Sequence, residues 1–273
     1  MVNKLLSVED ILRYSRKKPS RKIDMDAILP FLILPILLLI ATISRATTII
    51  VMVAIAMGTS YVLSRPRQKN RSPFFYSWTL SSGLYLFLVF EIGVLGLLEV
   101  TQLENFIFLM LFISTGYFFY KMKTVGDFEL TAGSSKGKEY SPVLTADSCY
   151  CRICQIEVND MFFHSIWWDC CVLKLNYGYF LAGQFLAFAT LLFGTNLGLT
   201  SVCQPFILYG SILLPENCDD VYYEFNLALC FVSCVYGVGY LIVILIVLLK
   251  QLIIYIPIYS EPQWRKLVNV FNV

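Results

Sequence analysis

Long runs of apolar residues constrain the fold of this chain more than any other feature. A helix needs roughly 17 to 25 mostly apolar residues to cross a bilayer core of ~30 Å. Only 15% of the residues are charged, against about 25% in soluble domains. We therefore expect an all-α polytopic membrane protein with six transmembrane helices. The expected spans are 27–44, 47–63, 74–98, 105–120, 178–203 and 226–249.

The distribution of Lys and Arg predicts the orientation of these spans, because cytoplasmic segments carry an excess of both. Basic residues lie in the two terminal segments and in the connections after the second and the fourth predicted span. By contrast, 99–104 and 204–225 contain acidic residues and no Lys or Arg. Both termini are thus predicted to be cytosolic and 204–225 lumenal. Arg45, in the short turn between the first two spans, is the one basic residue on the lumenal side, and its long side chain can reach the membrane surface. The expected units are a basic N-terminal segment 1–26, transmembrane hairpins 27–63 and 74–120, a cytosolic segment 121–177, a span pair 178–249 and a cytosolic tail 250–273.

Three smaller features have two interpretations each. Glu91 lies inside the third span. It either marks a polar contact within the helix bundle, or it lies near the end of the span or has a protonated carboxyl group. Residues 5–18, with Ser7 as a helix cap, are either a basic amphipathic helix on the membrane surface or a solvated tail. Gly237 and Gly239 either allow close helix packing or are ordinary bundle residues.

The one soluble segment of any size, 122–177, divides into two halves. Residues 126–148 are polar and rich in Gly and Ser, which is typical of a linker. The second half contains five of the nine cysteines of the chain. On the cytosolic face these thiols stay reduced, so disulfides are not expected among them.

Thiols and the single histidine of the chain predict a metal site in the second half. Cys151 and Cys154 have the C-x2-C spacing, and His164 and the pair Cys170 and Cys171 follow within 21 residues. Three cysteines and one histidine are a common tetrahedral zinc set. A segment this short cannot bury a core, so bound metal would supply its folding free energy. The alternative is an incidental group of thiols around a buried histidine.

The remaining cysteines lie near or inside the last two spans. Cys203 and Cys218 fall near the lumenal face and either form a disulfide or, if Cys203 lies within span five, do not. Cys230 and Cys234 lie within span six and are interpreted as packing residues.

Several short motifs resemble the cysteine-rich domain of DHHC protein S-palmitoyltransferases, in the six-span branch of that family. The matching motifs are CRIC at 151–154, HSIW at 164–167, Cys171 with Val172, and NYGYF at 176–180, all without a gap. This resemblance implies one zinc bound by Cys151, Cys154, His164 and Cys171. It also implies that Asn176, Tyr177, Phe180 and Glu261 are family motif residues, although both threonines that precede the glutamate in the family are absent.

The same resemblance aligns other residues with zinc-binding and catalytic positions of the family, whose chemistry these residues cannot supply. A second zinc site of the family corresponds to Gly137, Tyr140, Tyr150 and Glu157, so we expect no second zinc. The activating Asp and His correspond to Phe162 and Phe163, and the nucleophilic Cys corresponds to Ser165. A serine hydroxyl needs an adjacent base to attack a thioester, and two phenylalanines provide none.

The resemblance and its departures give a first hypothesis and two competitors. The first is a catalytically impaired family member that acts as an accessory or binding protein in palmitoylation or trafficking. The second is an active S-palmitoyltransferase with a displaced nucleophile, either Cys170 or Cys149. Palmitoyl-CoA is an expected cofactor under this second hypothesis only. The third, a transporter or channel, would need polar residues along several spans, and Glu91 and Gln184 are too few.

The expected surroundings of the protein follow from the first hypothesis. The expected location is a Golgi or endoplasmic reticulum membrane. The expected partners are membrane lipids and other proteins, including another acyltransferase, and no nucleic acid.

Overall fold

The structure is a computed structural model that describes residues 25–64, 73–97, 100–136, 148–208 and 212–255. It is mostly helical, with three short β-hairpins. The helices are α1 (Met25–Ala41), α2 (Arg45–Ser64), α3 (Phe74–Val89), α4 (Gln102–Lys136), α5 (Tyr177–Val202) and α6 (Phe225–Lys250). The strands are β1 (Ser148–Cys151), β2 (Ile156–Asn159), β3 (Met161–Ser165), β4 (Cys170–Leu173), β5 (Gln204–Leu208) and β6 (Ile212–Asn217).

Four helical stretches within the described ranges are long and apolar enough to cross a membrane. They are Phe74–Leu97, Gln102–Leu130, Tyr177–Val202 and Phe225–Ile253. The expectation of six spans is therefore met for four, since α1 has 17 residues and the apolar part of α2 ends at Tyr61. Whether these two shorter apolar helices also cross the membrane stays a prediction.

The turn between α1 and α2 lies at the same end of the bundle as the hairpin of β5 and β6. The hydroxyl of Thr48 donates to the Ala41 carbonyl at 2.7 Å and lies 2.8 Å from the hydroxyl of Tyr222. Tyr222 belongs to a short 3-10 helix, Asp219–Tyr222, that follows β6. The α1–α2 turn, which adjoins Arg45, and the basic-poor connection 204–225 thus lie together, at the end of α5 opposite to the β1–β4 segment.

A disulfide joins Cys203 to Cys218, which confirms the pairing that the sequence left open. Cys203 is the residue directly after α5, outside the span, and Cys218 follows β6. The bond closes the connection between α5 and α6. Cys230 and Cys234 are buried and free, in agreement with a packing role.

Helices α5 and α6 approach closely at Gly237. A Cβ at Gly237 would lie 2.7 Å from the Cγ2 of Thr195, whereas a Cβ at Gly239 would meet nothing within 4 Å. Only the first of the two glycines therefore serves close packing. Glu91 lies in a π-helical turn, Phe90–Val94, that continues α3, and its Oε1 is buried without a hydrogen-bond partner in the described ranges.

Two expectations about the segment before α5 were wrong. Residues 126–136 are not linker but continue α4, which runs unbroken from the membrane. Met122, Gly126 and Leu130 lie on one face of this extension and pack on the strands, which holds it helical. The segment is also not α-helical throughout, because β1 pairs with β2 and β3 with β4, both antiparallel.

Candidate metal centre and adjoining cavity

The strand hairpins bring together the four residues expected to bind metal. Cys151 ends β1, Cys154 lies in the turn before β2, and His164 on β3 is directly opposite Cys171 on β4. Successive side chains on a strand point to opposite faces, so this cross-strand pair shares one face. The turn after Cys154 is tight, because Gln155 has a φ of 57°.

The ligand atoms have the spacing of a tetrahedral zinc site. The Sγ atoms of Cys154 and Cys171 are 3.5 Å apart, as are those of Cys171 and Cys151. The Nδ1 of His164 lies 3.5 to 3.7 Å from all three sulfurs. Zinc–ligand bonds of 2.0–2.3 Å at tetrahedral angles give separations of roughly 3.5–3.8 Å. The residues therefore fit a zinc ion, and three thiolates with one imidazole are the donors that zinc favours.

Asp169 orients the histidine of this centre. Its Oδ1 lies 3.7 Å from His164 Nε2, the ring nitrogen that faces away from the thiols. Carboxylates in this position fix the ring of a metal-binding histidine and raise its basicity. Asp169 has a φ of 44° in the turn between β3 and β4, and Lys123 donates to its carbonyl and to that of Trp168.

Metal-free, the centre holds protons that zinc must displace. Burial lowers the pKa of His164, but the Asp169 carboxylate and the thiols of Cys151 and Cys154 raise it to about 10. Hydrogen bonds with Cys154 and Cys171 lower the pKa of Cys151, while hydrogen bonds with Cys151 and Cys154 raise the pKa of Cys171. Zinc binding therefore releases protons and is weaker in acid.

The residues at the family's catalytic positions pack against the helices. Phe163 contacts Phe180 edge to face at 5.5 Å between ring centroids, and Phe162 contacts Tyr177 in the same way at 5.1 Å. Both rings border a core cluster built by α4, β4 and α5. Ser165 is two residues beyond Phe163 on β3 and is 7% exposed.

Cys170 lies opposite Ser165 and is completely buried. Its Sγ donates to the Cys171 carbonyl at 3.4 Å and abuts Gly126, where a Cβ would be only 2.5 Å from the sulfur. The other proposed nucleophile, Cys149, is a β1 residue whose side chain lies outside the described part. Four residues stand at the positions of the family's second zinc site. Of these, Tyr150 and Glu157 are cross-strand partners on β1 and β2. Gly137 and Tyr140 lie outside the described residues, as does the motif residue Glu261.

Asn176 fastens the metal-binding hairpins to α4. Its Oδ1 accepts from the Leu173 backbone N–H at 2.7 Å. Its Nδ2 donates to the carbonyls of Met122 and Cys171 at 3.1 and 3.0 Å. The side chain is completely buried, and Tyr177 and Phe180 continue into the same core. The three motif residues within the described ranges thus join the metal centre to the bundle.

Asn176→Ala is expected to lower the free energy of unfolding of the hairpins by about 2–4 kcal/mol, because three buried groups lose their partner. The matched control is Asn226→Ala, since Asn226 is exposed at the start of α6. Zinc release against denaturant concentration measures the difference. Equal midpoints in the two variants would show that Asn176 does not fasten the hairpins.

A cavity of about 950 Å³ extends from the hairpins into the helix bundle. Its wall at the hairpin end includes His164, Ser165 and Trp168, and its wall within the bundle comes from α3, α4, α5 and α6. Most of the lining is apolar, with Phe112, Leu191 and Val243 among the residues. The position expected for the nucleophile therefore opens on a space suited to a hydrocarbon chain.

Sequence reasoning missed Asp169 and Lys123 as parts of this site. Asp169 stands between two expected ligand positions, so its place in WWDCC was a usable signal. Lys123 was counted only as a charge near a span end. Its hydrogen bonds to the turn after β3 depend on the extension of α4, which the sequence did not predict.

The helix bundle, the thiol-rich cluster and the apolar cavity define a membrane protein whose candidate metal-binding segment covers an apolar chamber. A family model described as DHHC palmitoyltransferase matches residues 138–263. This match and the relatives named below support membership of the chain in the DHHC palmitoyltransferase family. No solved structure matches it.

Several curated relatives carry names from this family. Palmitoyltransferase ZDHHC23-B of Danio rerio is 26% identical over 85% of this chain and 67% of its own length. Palmitoyltransferase ZDHHC23 of Homo sapiens is 23% identical over 85% of this chain and 70% of its own length. Palmitoyltransferase ZDHHC23-A of Danio rerio is 34% identical, but over only 33% of this chain and 21% of its own length.

Proposed function

We propose that this protein is a catalytically impaired member of the family that acts by binding, as an accessory or substrate-holding protein in palmitoylation or trafficking. The observation that carries the proposal is the packing of Phe163 on Phe180 at the position of the activating histidine. An intact zinc set beside this apolar contact fits a fold that is retained without its chemistry. When bound, zinc would stabilise the hairpins through Cys151, Cys154, His164 and Cys171.

The groups around Ser165 support the loss of acyl transfer. Attack on a thioester needs a base within hydrogen-bond reach of the hydroxyl. His164 is the neighbour of Ser165, but adjacent strand residues point to opposite faces. Both ring nitrogens of His164 are engaged, one towards the thiols and the other towards Asp169. Phe162 and Phe163 provide no proton acceptor.

The burial of Cys170 weighs against the alternative of a displaced nucleophile. Its sulfur is enclosed between β4 and Gly126 of α4, so an acyl-CoA would have to separate the hairpins from the helix to reach it. We therefore retain the impaired member as the proposal and treat Cys170 as the residue that tests it.

Membrane topology forms the second part of the proposal. We infer six spans with both termini cytosolic, in a Golgi or endoplasmic reticulum membrane. The grouping of the α1–α2 turn with the disulfide-closed hairpin supports this arrangement, since disulfides persist in oxidising compartments. Positive charge on the other connections agrees with it. Protease protection of tags at each terminus in sealed microsomes would test it.

Purified protein incubated with an alkyne-labelled palmitoyl-CoA is expected to show no covalent acylation above that of a heat-denatured sample. The physical reason is the lack of a base beside Ser165 and the enclosure of Cys170. Cys170→Ala and Ser165→Ala serve as matched variants. Strong labelling that disappears in either variant would contradict the proposal and identify the nucleophile.

A further inference from the structure

The side chain of Lys123 joins the helix bundle to the turn between β3 and β4. Its Nζ donates to the carbonyls of Trp168 and Asp169 at 3.1 and 3.4 Å. The same nitrogen lies 4.7 Å from the centroid of the Tyr76 ring on α3 and 4.0 Å from Oδ2 of Asp127, one turn further along α4. The ammonium group therefore lies where α3, α4 and the β3–β4 hairpin meet.

Helix α4 holds this turn through a ring contact as well as through hydrogen bonds. Phe119, one turn before Lys123, stacks on the ring of Trp168 at 3.9 Å between centroids. Residues four apart on a helix share one face, so Phe119 and Lys123 contact the turn from the same side. Lys121 is on another face, with its Nζ 5.8 Å from the centroid of the Tyr117 ring. Lys123 thus differs from the neighbouring charge at the end of the span.

The turn has a backbone conformation that needs support from its surroundings. Asp169 has a φ of 44°, in the left-handed region that is unfavourable for a residue with a Cβ. Aspartate tolerates this region better than most residues do, but such a conformation persists only where surrounding contacts impose it. Within the turn, the Asp169 N–H donates to the Ile166 carbonyl at 3.3 Å. The two hydrogen bonds from Lys123 add support from outside the turn.

The position of the turn decides how Asp169 meets the histidine of the metal centre. Its Oδ1 is 3.7 Å from Nε2 of His164, slightly beyond the usual hydrogen-bond range. A displacement of the turn by less than ~1 Å therefore either forms this hydrogen bond or separates the pair. Loss of such a partner commonly weakens metal binding about 10–100-fold. A group that fixes the turn can thus act on the metal without touching it.

We propose that Lys123 is a positioning residue of the metal centre. By holding the carbonyls of Trp168 and Asp169, it keeps the Asp169 carboxylate against His164 and so strengthens zinc binding by the four ligands. The inference goes beyond the proposed function, because it concerns the metal and holds whether or not the chain transfers acyl groups.

The first test measures the zinc affinity of the whole protein in detergent micelles, by competition with a chromophoric chelator. Methionine is similar in length to lysine and has no donor, so Lys123→Met is expected to bind zinc about tenfold more weakly. Lys123→Arg keeps the charge and several donors and should recover most of the affinity. Lys121→Met is the matched control and should bind zinc as the wild type does. Unchanged affinity in Lys123→Met would overturn the inference.

A double-mutant cycle separates positioning of Asp169 from general support of the fold. Asp169→Asn removes the carboxylate but keeps a residue that tolerates a positive φ. If Lys123 acts through Asp169, adding Lys123→Met to Asp169→Asn should weaken zinc binding by no more than about twofold. An equal loss in both backgrounds would overturn the inference, because it would show that Lys123 only supports the hairpins.

Cobalt(II) at saturating concentration gives a signal that a change in stability alone does not move, because its visible absorption bands depend on ligand geometry. The bands are expected to shift in Lys123→Met and in Asp169→Asn but not in Lys121→Met. Identical bands in Lys123→Met and the wild type would count against positioning. If Lys123→Met fails to fold, Lys123→Gln, which keeps N–H donors without the charge, replaces it in the same cycle. Neither measurement involves acyl transfer, so the acylation assay decides the proposed function independently.

Discussion

His164→Ala is expected to lose bound zinc and to unfold the hairpins β1–β4 while the helix bundle stays folded. Two-stranded hairpins are at best marginally stable in water. Structural zinc sites contribute about 10–16 kcal/mol of apparent binding free energy in zinc-finger peptides, which is then folding free energy. The helices have core clusters of their own that include Leu34, Val232 and Phe108. Removal of the metal should therefore act locally.

Elemental analysis and limited proteolysis measure the two halves of this result. We expect about one zinc per chain in the wild type and none in His164→Ala, with new cleavage sites between residues 148 and 176. His164→Cys is the matched rescue, because four thiolates also form a tetrahedral zinc site. Ser165→Ala, one residue away and not a ligand, should retain zinc. A His164→Ala protein that keeps its zinc would refute the assignment of this ligand.

The cluster of Cys151, Cys154, His164 and Cys171 could be predicted from the sequence, because local spacing indicated the region and the family resemblance implied Cys171 rather than Cys170. A C-x2-C turn places Cys151 and Cys154 together, and a short hairpin places His164 opposite Cys171. The spans 178–203 and 226–249 were also readable, within a residue of α5 and α6. In both cases the signal lies within a continuous stretch of chain.

Features that depend on contacts between distant segments were not readable. The polar residues 126–136 had the composition of a linker, and their helical form depends on packing of Leu130 against the strands. The apolar spacing of Met122 and Leu130 was a signal that could have predicted this extension. The cavity arises only when four helices and the two hairpins β1–β2 and β3–β4 are assembled. That α1 crosses the membrane stays a prediction.

Restoring the family's catalytic residues is expected to produce acylation that restoring the thiol alone does not. Ser165→Cys provides a nucleophile, but a thiol with a pKa near 8.5 is only a few per cent ionised at neutral pH. Burial of this position should reduce that fraction further. Addition of Phe163→His and Phe162→Asp should raise the rate of autoacylation by about 10²–10⁴-fold over the single variant, the usual contribution of a positioned base.

The triple variant carries a stability cost that its controls must measure. Phe162 and Phe163 lose their contacts with Tyr177 and Phe180; because both rings are only partly buried, each substitution should cost less than the ~3–5 kcal/mol typical of a fully buried Phe. Zinc content identifies samples in which the hairpins remain folded, and the same variant with Ser165→Ala reports labelling at other cysteines. If Ser165→Cys alone labels as fast as the triple variant, the missing base is not what impairs the chain. If the folded triple variant stays unlabelled, the impairment extends beyond these three side chains.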